Sequence, residues 1–272
     1  MNGRVLSVAG SDSGGGAGIQ ADIKTVTALG GYAATAITAV TDQDTRAVYG
    51  VQMMPPEFIA RQIKSVVSDI GADVIKTGML ASREIVSAVA QALREYAPAV
   101  PRVIDPVMVA KGGHRLIADD ATTVLLDELV RGAAVVTPNL PEAEVITGRE
   151  IRSADDMFEA VDALRALDAD AVVLKGGHLE GDVLIDLLIT QDDVTVFEGQ
   201  RISSTSTHGT GCTLASAIAT GLAQKMEIAD AVDRARQYVF RAIETAPGYG
   251  SGHGPLNHGH TVVDSPNSRS RQ

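Results

Sequence analysis

Short apolar runs alternate with helix-type patterns along the chain. Six of the runs consist mainly of aliphatic residues bounded by turn or polar residues, namely residues 5–9, 34–40, 74–76, 102–105, 133–137 and 171–174. Short, continuous apolar runs are typical of parallel strands that are buried on both faces. Their alternation with helices predicts βαβ units and an α/β sandwich.

The segments between these runs carry helical periodicity. One apolar stripe has the spacing of a helix face and consists of Ile59, Ile63, Val66, Val67 and Ile70. Ser153 and Asp156 have the spacing of a capping box, although Asp is weaker than Glu at the second position. They predict a helix start ahead of a second stripe, Met157, Val161 and Leu164.

Two β-rich segments interrupt the alternation. Residues 45–53 and 183–197 have the composition of extra or edge strands, and Gln191, Asp192 and Asp193 suit a hairpin turn within the second. The sequence shows no linker and no internal repeat, which favours a single domain over residues 1–264. The polar residues 265–272 are predicted to form a disordered tail.

Composition narrows the classes of function. The chain has 272 residues, 45% of them hydrophobic, which suffices for the core of one α/β domain. The formal net charge is −11 and 3% of residues are aromatic, which argues against nucleic acid or an anionic membrane as a partner. A single cysteine excludes an internal disulfide and a cysteine-based zinc site. With no targeting or spanning segment visible, a reducing cytoplasm is the expected compartment.

A glycine-rich segment, residues 9–18, lies between the first strand and a helix that begins near Ile19. Glycines let the backbone approach a ligand closely, and a helix N-terminus offers free N–H groups. The segment lacks the spacing of a Walker A loop and of the dinucleotide-binding fingerprint. A ligand-binding turn at the carboxyl end of the sheet is the favoured interpretation, and a flexible turn is the alternative.

A second cluster, residues 207–212, opens an apolar helix over residues 213–222. Gly209, Thr210 and Gly211 at a helix start form a cradle for an anion. Cys212 follows, where the helix dipole is expected to lower its pKa and suit it to act as a base, a nucleophile or an oxyanion stabiliser. The alternative is a buried structural thiol.

Charged residues follow three of the predicted strands, namely Asp105, Glu142 and Lys175. Carboxylates at such positions can hold Mg²⁺, and a lysine can meet a phosphate. Taken singly, each is more often a cap or a solvated charge, but with the anion cradle they supply the parts that phosphoryl transfer needs. His258 and His260, the one close histidine pair, are expected at the surface.

Six segments match, in order, the motifs of one known family. They are AGSDSGGGAGIQAD (residues 9–22), KTGML (76–80), DPVMVAK (105–111), TPNLPEAE (137–144), KGGH (175–178) and THGTGCTL (207–214). Over residues 4–256 the chain therefore resembles the hydroxymethylpyrimidine/phosphomethylpyrimidine kinases of thiamine biosynthesis, in the ribokinase-like superfamily.

This resemblance implies a three-layer α/β/α fold with a central, mostly parallel sheet. It also implies ATP- and Mg²⁺-dependent phosphorylation of a hydroxymethyl group and then of the resulting monophosphate. By motif, the pyrimidine pocket would be lined by Gly10, Asp22, Gln43, Met79 and Val107. Mg²⁺ would be served by Asp105 and Glu142, and the nucleotide by Asn139, Lys175 and Thr210. Catalysis would fall to Lys175 and to an anion hole made of Gly209, Thr210, Gly211 and Cys212.

The sequence departs from the family pattern at two places. Asp42 and Asp44 replace the usual Ala and Asn beside Gln43, while the glutamine, which can pair with both edges of an aminopyrimidine, is kept. Residues 112–114 are Gly-Gly-His in place of Ser-Gly-Asp. This glycine-rich segment next to Lys111 is a candidate lid.

Two other functions stay open at this point. A pyridoxal kinase is the nearest rival, since relatives with the same Gly-Thr-Gly-Cys element can take that substrate. A nucleotide-binding regulator without catalysis is the second, although the joint presence of Asp105, Glu142, Lys175 and Cys212 argues against it. Relatives also imply a homodimer, formed through residues 45–53.

Overall fold

Strands and helices alternate in the computed structural model, which describes residues 1–108 and 119–262. The strands are β1 (Arg4–Asp12), β2 (Tyr32–Gln43), β3 (Val48–Met53), β4 (Val74–Thr77), β5 (Arg102–Ile104), β6 (Val135–Val136), β7 (Ala171–Lys175), β8 (Val183–Thr190) and β9 (Val194–Gln200). The helices are α1 (Gly18–Ala28), α2 (Pro56–Asp69), α3 (Arg83–Tyr96), α4 (Asp119–Leu125), α5 (Leu140–Thr147), α6 (Ala154–Glu159), α7 (Val161–Arg165), α8 (Thr210–Ala223) and α9 (Ile228–Glu244). A π-helical turn (Leu126–Val130) continues α4.

These strands form one sheet in the order β3-β2-β1-β4-β5-β6-β7-β8-β9. The strands β2, β1, β4, β5, β6 and β7 are parallel, whereas β3, β8 and β9 each run antiparallel to the strand before them in the chain. The prediction of a mostly parallel sheet is confirmed. So are the β-rich additions, with residues 191–193 turning between β8 and β9.

Helices cover both faces of the sheet. On one face, Ile59 of α2 and Leu93 of α3 belong to a core that is continuous with α4, α5 and α7. On the other face, Val26 of α1, Leu214 of α8 and Val232 of α9 form a second core. The three-layer α/β/α architecture is therefore confirmed.

The apolar stripe on α2 is confirmed over most of its length. Ile59 and Ile63 are fully buried, and Val66 and Val67 pack partly against the same core. Ile70 is the C-cap of the helix and is 37% exposed, because the chain leaves the core there.

The capping box at the start of α6 is also confirmed. Ser153 Oγ accepts a hydrogen bond from the N–H of Asp156 at 3.2 Å, and Asp156 Oδ2 accepts one from the N–H of Ser153 at 2.9 Å. The helix is shorter than its stripe predicts, because Ala160, with ψ of −11°, ends α6 before α7 begins. The stripe residues remain buried across this break.

The segment after α9 folds back onto the domain. His258 is 4% exposed, and its Nε2 lies 2.9 Å from Thr213 Oγ1 of α8. The Tyr238 hydroxyl of α9 donates a hydrogen bond to the His258 carbonyl. The expectation of a surface position is therefore wrong for His258.

The tail predicted for residues 265–272 lies outside the described residues. Among the described residues, no helix is long and apolar enough to cross a membrane.

Candidate active site

A cavity of about 1180 Å³ opens at the carboxyl ends of the parallel strands. This is the edge where ligands bind in open α/β sheets. The predicted site residues that line it are Gly10, Gln43, Met79, Asp105, Val107, Asn139, Glu142, Lys175, Gly209, Thr210, Gly211 and Cys212. The structure thus brings together residues from seven separate segments of the sequence.

Asp22 is the predicted pocket residue that does not line this cavity. It lies on α1 with no exposed surface. Its carboxylate binds Lys76 Nζ at 2.9 and 3.0 Å and accepts hydrogen bonds from the hydroxyls of Ser7 and Ser216. The expectation that Asp22 lines the pocket is corrected, because its oxygens are already satisfied between α1, β1, β4 and α8.

The helix start predicted at Gly209, Thr210 and Gly211 is present, because α8 begins at Thr210. Gly209 is the N-cap with φ of +84°, and a Cβ there would overlap the carbonyl oxygen of Gly16. Glycine is therefore required at this position by its conformation and by the close contact between the two loops. The N–H groups of the first helical turn lack partners within the helix. Because Thr210, Gly211 and Cys212 line the cavity, these N–H groups are placed where they could hold an anion.

The expectation of a lowered pKa for Cys212 is wrong. Burial raises the pKa of this thiol to about 11. The charge of Lys76 and the N–H of Gly18 lower it, while Asp22 and Asp105 raise it. The helix dipole acts only through the local backbone, and removal of the thiolate from water outweighs its effect on the pKa.

Lys175, the last residue of β7, pairs with Asp105, which follows β5. Lys175 Nζ lies 3.3 Å from Asp105 Oδ1, and the Thr137 hydroxyl donates to the same oxygen at 3.1 Å. Burial alone would lower the pKa of Lys175, but Asp105 and Glu142 raise it. The lysine is therefore a fixed positive charge at the edge of the cavity.

Glu142 and Asn139 form a capping box at the start of α5. Asn139 Oδ1 accepts a hydrogen bond from the N–H of Glu142 at 2.9 Å, and Glu142 Oε2 accepts one from the N–H of Asn139 at 2.8 Å. The cap uses the amide oxygen of Asn139, so its amide nitrogen is the part that a nucleotide could contact. Sequence reasoning placed both residues in the site but missed this mutual bond.

The two carboxylates at the strand ends fit a divalent cation. Burial raises the pKa of Glu142 to about 7, nearby Asp105 also raises it, and Lys175 lowers it. A carboxylate that is costly to ionise gains from a cation beside it. Within the described ranges, no group of three or more His, Cys, Asp or Glu residues could hold a metal ion. So sparse a donor set matches Mg²⁺, which is usually bound by one or two carboxylates together with substrate phosphates.

Glu142→Gln is expected to stabilise the metal-free protein at pH 8 by about 1–2 kcal/mol. The folded pKa of Glu142 lies above its ordinary value, so ionisation in the folded state costs stability as pH rises from about 5 to above 7. Glutamine removes that cost and keeps an oxygen for the cap. Urea unfolding at pH 5 and pH 8 measures the difference, which should be confined to pH 8.

Glu150→Gln is the matched control, because Glu150 is an exposed glutamate close to the same helix. It should leave stability unchanged at both pH values. A stabilisation by Glu142→Gln that is equal at pH 5 and pH 8 would contradict the assignment of the raised pKa.

Sequence reasoning gave no role to Asp12, Lys76 or His208. Asp12 and His208 line the cavity, and Lys76 lies fully buried beside it. A lysine inside an apolar run is a visible signal, because an unpaired lysine is almost never buried. The pairing of Asp12 with His208 carries no such signal, since the two residues are far apart in the sequence.

Part of one predicted motif, Val109 to Lys111, lies outside the described residues. So do residues 112–114, where the sequence departs from the family pattern and where a lid is predicted. Those expectations stay predictions.

Fold and cavity together define the class of protein: a phosphotransferase on a three-layer α/β/α scaffold, with an anion cradle facing two carboxylates and a lysine. The sequence pattern of the phosphomethylpyrimidine kinases matches residues 12–257. The chain belongs to this family.

Relatives of known description agree with this membership. A thiamine biosynthesis bifunctional protein of Geobacter sulfurreducens is 52% identical over 94% of the chain, and the chain spans 52% of that protein's length. A hydroxymethylpyrimidine/phosphomethylpyrimidine kinase of Rhizobium meliloti is 44% identical over 96% of the chain and 98% of its own length.

Solved structures share the fold. The phosphomethylpyrimidine kinase of Clostridium difficile has a TM-score of 0.78 at 40% identity and covers 88% of this chain and 99% of its own. The pyridoxal kinase of Bacillus subtilis, solved as an ADP complex, has a TM-score of 0.87 at 34% identity and covers 95% of this chain and 98% of its own. The fold alone therefore does not separate the two substrate classes.

Proposed function

We propose that this kinase phosphorylates 4-amino-5-hydroxymethyl-2-methylpyrimidine with ATP, and then phosphorylates the monophosphate to the diphosphate, for thiamine biosynthesis. One observation carries the proposal. A single cavity joins Gln43, which suits an aminopyrimidine, to the anion cradle of α8 and to the group of Asp105, Glu142 and Lys175. The names of the sequence relatives point to the same reaction.

The phosphate-transfer end of the cavity is assigned to α8 and the strand ends. The first-turn N–H groups from Gly209 to Cys212 hold the transferred phosphate, and Lys175 adds a positive charge. Asp105 and Glu142 hold Mg²⁺, which neutralises charge on the phosphates when it is bound. Asn139 and Thr210 contact the nucleotide. Asp105, Glu142, Lys175 and the first turn of α8 are in place before the substrate arrives, so little reorganisation is needed during transfer.

The acceptor end of the cavity is assigned to the pyrimidine. Met79 lies directly over Gly10, where a Cβ would overlap the methionine Cε. Glycine at this position therefore leaves room for the apolar Met79 side chain, against which a ring can pack. Val107 lines the same space, and Gln43 offers a hydrogen-bond donor and an acceptor at its edge.

Cys212 stands where a base would take the proton of the hydroxymethyl group. In the second step the acceptor is already an ionised phosphate, so that step needs little base. We place the reaction in the cytoplasm, where a reducing environment keeps the thiol free.

The test is a direct assay with ATP, Mg²⁺ and the hydroxymethylpyrimidine, followed by separation of monophosphate and diphosphate. Both products are expected, in that order. Pyridoxal is assayed in parallel, because the structural similarity to pyridoxal kinases favours it as the second candidate. A higher kcat/KM for pyridoxal would replace the proposal, and folded protein that turns over neither substrate nor ATP would support the regulator instead.

We also propose that the protein is a homodimer through β3. This edge strand and its surroundings expose apolar side chains, with Tyr49 58%, Val51 40% and Met53 49% exposed. An exposed apolar edge strand is a template for pairing with a second chain. Light scattering should give twice the chain mass of 28.3 kDa. Val51→Lys is expected to shift the mass toward one chain, and a single-chain mass for the unaltered protein would contradict the proposal.

A further inference from the structure

A histidine at the rim of the cavity bridges two residues from different loops. His208 is 9% exposed, and its Nε2 lies 2.9 Å from Asp12 Oδ2 and 3.3 Å from the side-chain amide of Gln43. All three residues line the cavity. The contact joins the end of β1, the end of β2 and the approach to α8.

The hydrogen on His208 Nε2 is fixed by Asp12. The carboxylate of Asp12 accepts backbone N–H groups at 2.8 to 3.0 Å, from Gly14, Gly16 and Ala17. Burial opposes its ionisation, but His208 and these N–H groups outweigh burial and lower the pKa of Asp12. Since an ionised carboxylate can only accept, His208 Nε2 must carry the hydrogen and donate it.

This hydrogen decides which end of the Gln43 amide faces the histidine. The structure places the amide nitrogen of Gln43 toward His208 and its oxygen toward Thr41. Because an Nε2–H group cannot accept a bond from the amide NH₂, the hydrogen-bond network favours the reverse assignment, with the amide oxygen toward His208. The atom placed as the amide oxygen, which becomes the nitrogen in this assignment, lies 3.2 Å from Thr41 Oγ1. The single hydroxyl hydrogen of Thr41 goes to the Ser11 carbonyl at 3.1 Å, so Thr41 Oγ1 can accept from the amide NH₂. With this orientation no two donor groups of the network face each other.

A fixed amide presents its donor and acceptor to a ligand in one order only. An aminopyrimidine offers a donor, the amino group, on the carbon next to the one bearing the hydroxymethyl group, and then a ring nitrogen as acceptor. Pyridoxal offers an aldehyde oxygen, an acceptor, at the first of these positions and a hydroxyl at the second. When the two substrates bind with their hydroxymethyl groups at the same place, the pyrimidine needs the amide oxygen first and the amide NH₂ second. Pyridoxal needs the amide NH₂ first and the amide oxygen second.

We propose that Asp12 and His208 are positioning residues that hold the Gln43 amide in one orientation and thereby select the aminopyrimidine over pyridoxal. This inference rests on the proposed function, because that function states which of the two rings the orientation serves. Without His208, the amide can turn over and accept either ring. Selectivity then depends on the hydrogen-bond network behind Gln43 as well as on Gln43 itself.

The experiment compares kcat/KM for the hydroxymethylpyrimidine and for pyridoxal in the unaltered enzyme and in His208→Ala. The ratio of the two values is expected to fall about tenfold in the variant, mainly through the KM of the pyrimidine, with the KM for ATP unchanged. Imidazole added to the variant should restore part of the ratio, whereas N-methylimidazole, which has no N–H group, should not. His253→Ala, at an exposed histidine outside the cavity, is the control and should leave the ratio unchanged.

Thr41→Val removes the hydroxyl that contacts the other end of the Gln43 amide and keeps the shape of the side chain. It is the second variant to test if His208→Ala does not fold. It too should lower the ratio, and Thr41→Ser should restore it. Equal losses for both substrates, or rescue by both imidazoles, would overturn the proposal in favour of a purely structural role. A failure of the proposed function shows separately, as absence of pyrimidine phosphorylation by the unaltered enzyme.

Discussion

Lys76→Met is expected to lower the free energy of unfolding by about 3–5 kcal/mol. Lys76 and Asp22 form an ion pair whose side chains are 0% and 1% exposed, with Nζ 2.9 Å from Oδ1. Methionine fills the space of the lysine but leaves the Asp22 carboxylate buried with only two hydroxyl donors, from Ser7 and Ser216. An uncompensated buried charge costs far more than the packing that methionine preserves.

Urea unfolding at pH 7 measures the loss, with an unchanged m-value as evidence that the unfolding transition is the same. Lys64→Met is the matched control, because Lys64 is exposed on α2 and contacts only the ring of Tyr96 among the aromatic side chains of the described chain. It should change stability by less than about 1 kcal/mol.

The double variant Lys76→Met with Asp22→Asn tests whether the pair is the cause. Asparagine removes the stranded charge, accepts a hydrogen bond from one serine through Oδ1 and can donate one from its amide nitrogen to the hydroxyl oxygen of the other. The double variant should therefore be more stable than the sum of the two single losses predicts, by at least about 1 kcal/mol. Strictly additive losses would show that Lys76 acts through packing alone.

The fold and the location of the site follow from local patterns in the sequence. Glycines 209 and 211 with Thr210 mark the start of α8, because a tight turn into an apolar helix has few other solutions. Asp105, Glu142 and Lys175 come together because the carboxyl ends of parallel strands meet at one edge of the sheet. These inferences need only the order of elements, and the order is visible in the alternation of apolar runs.

The corrected expectations concern contacts between distant segments. Asp22 is removed from the cavity by Lys76, which lies 54 residues away in the sequence. The pKa of Cys212 has the opposite direction from the one expected, because burial depends on how α8 packs against the sheet and outweighs the local helix dipole. Asp12 and His208 are 196 residues apart, and neither has a sequence pattern that predicts the other. Pairings of this kind depend on side-chain geometry that the periodicity of the chain does not contain.

Cys212→Ala is expected to lower the rate of the first phosphorylation about 100-fold and that of the second less than about tenfold. The first acceptor is a hydroxyl group, which must lose its proton as it attacks. The second acceptor is a phosphate that is ionised before it binds. A base at Cys212 therefore contributes mainly to the first step, provided that its thiolate form is reached.

The raised pKa of Cys212 predicts the pH dependence of this step. Because the pKa lies at about 11, only a small fraction of the thiol is ionised near neutrality. The fraction that is thiolate increases with pH, so the rate of the first step in the unaltered enzyme should rise from pH 6.5 to pH 9. The second step should change little over the same range, and Cys212→Ala should remove the rise.

Both steps are measured separately, starting from the hydroxymethylpyrimidine or from its monophosphate, at saturating ATP and Mg²⁺. Cys212→Ser is the control for shape, because it keeps a small polar side chain at the cradle with a much weaker acid. It should behave like the alanine variant in pH dependence and retain the affinity for nucleotide. If both variants lose the two steps equally, Cys212 shapes the cradle for the transferred phosphate, and the proton of the hydroxymethyl group leaves by another route.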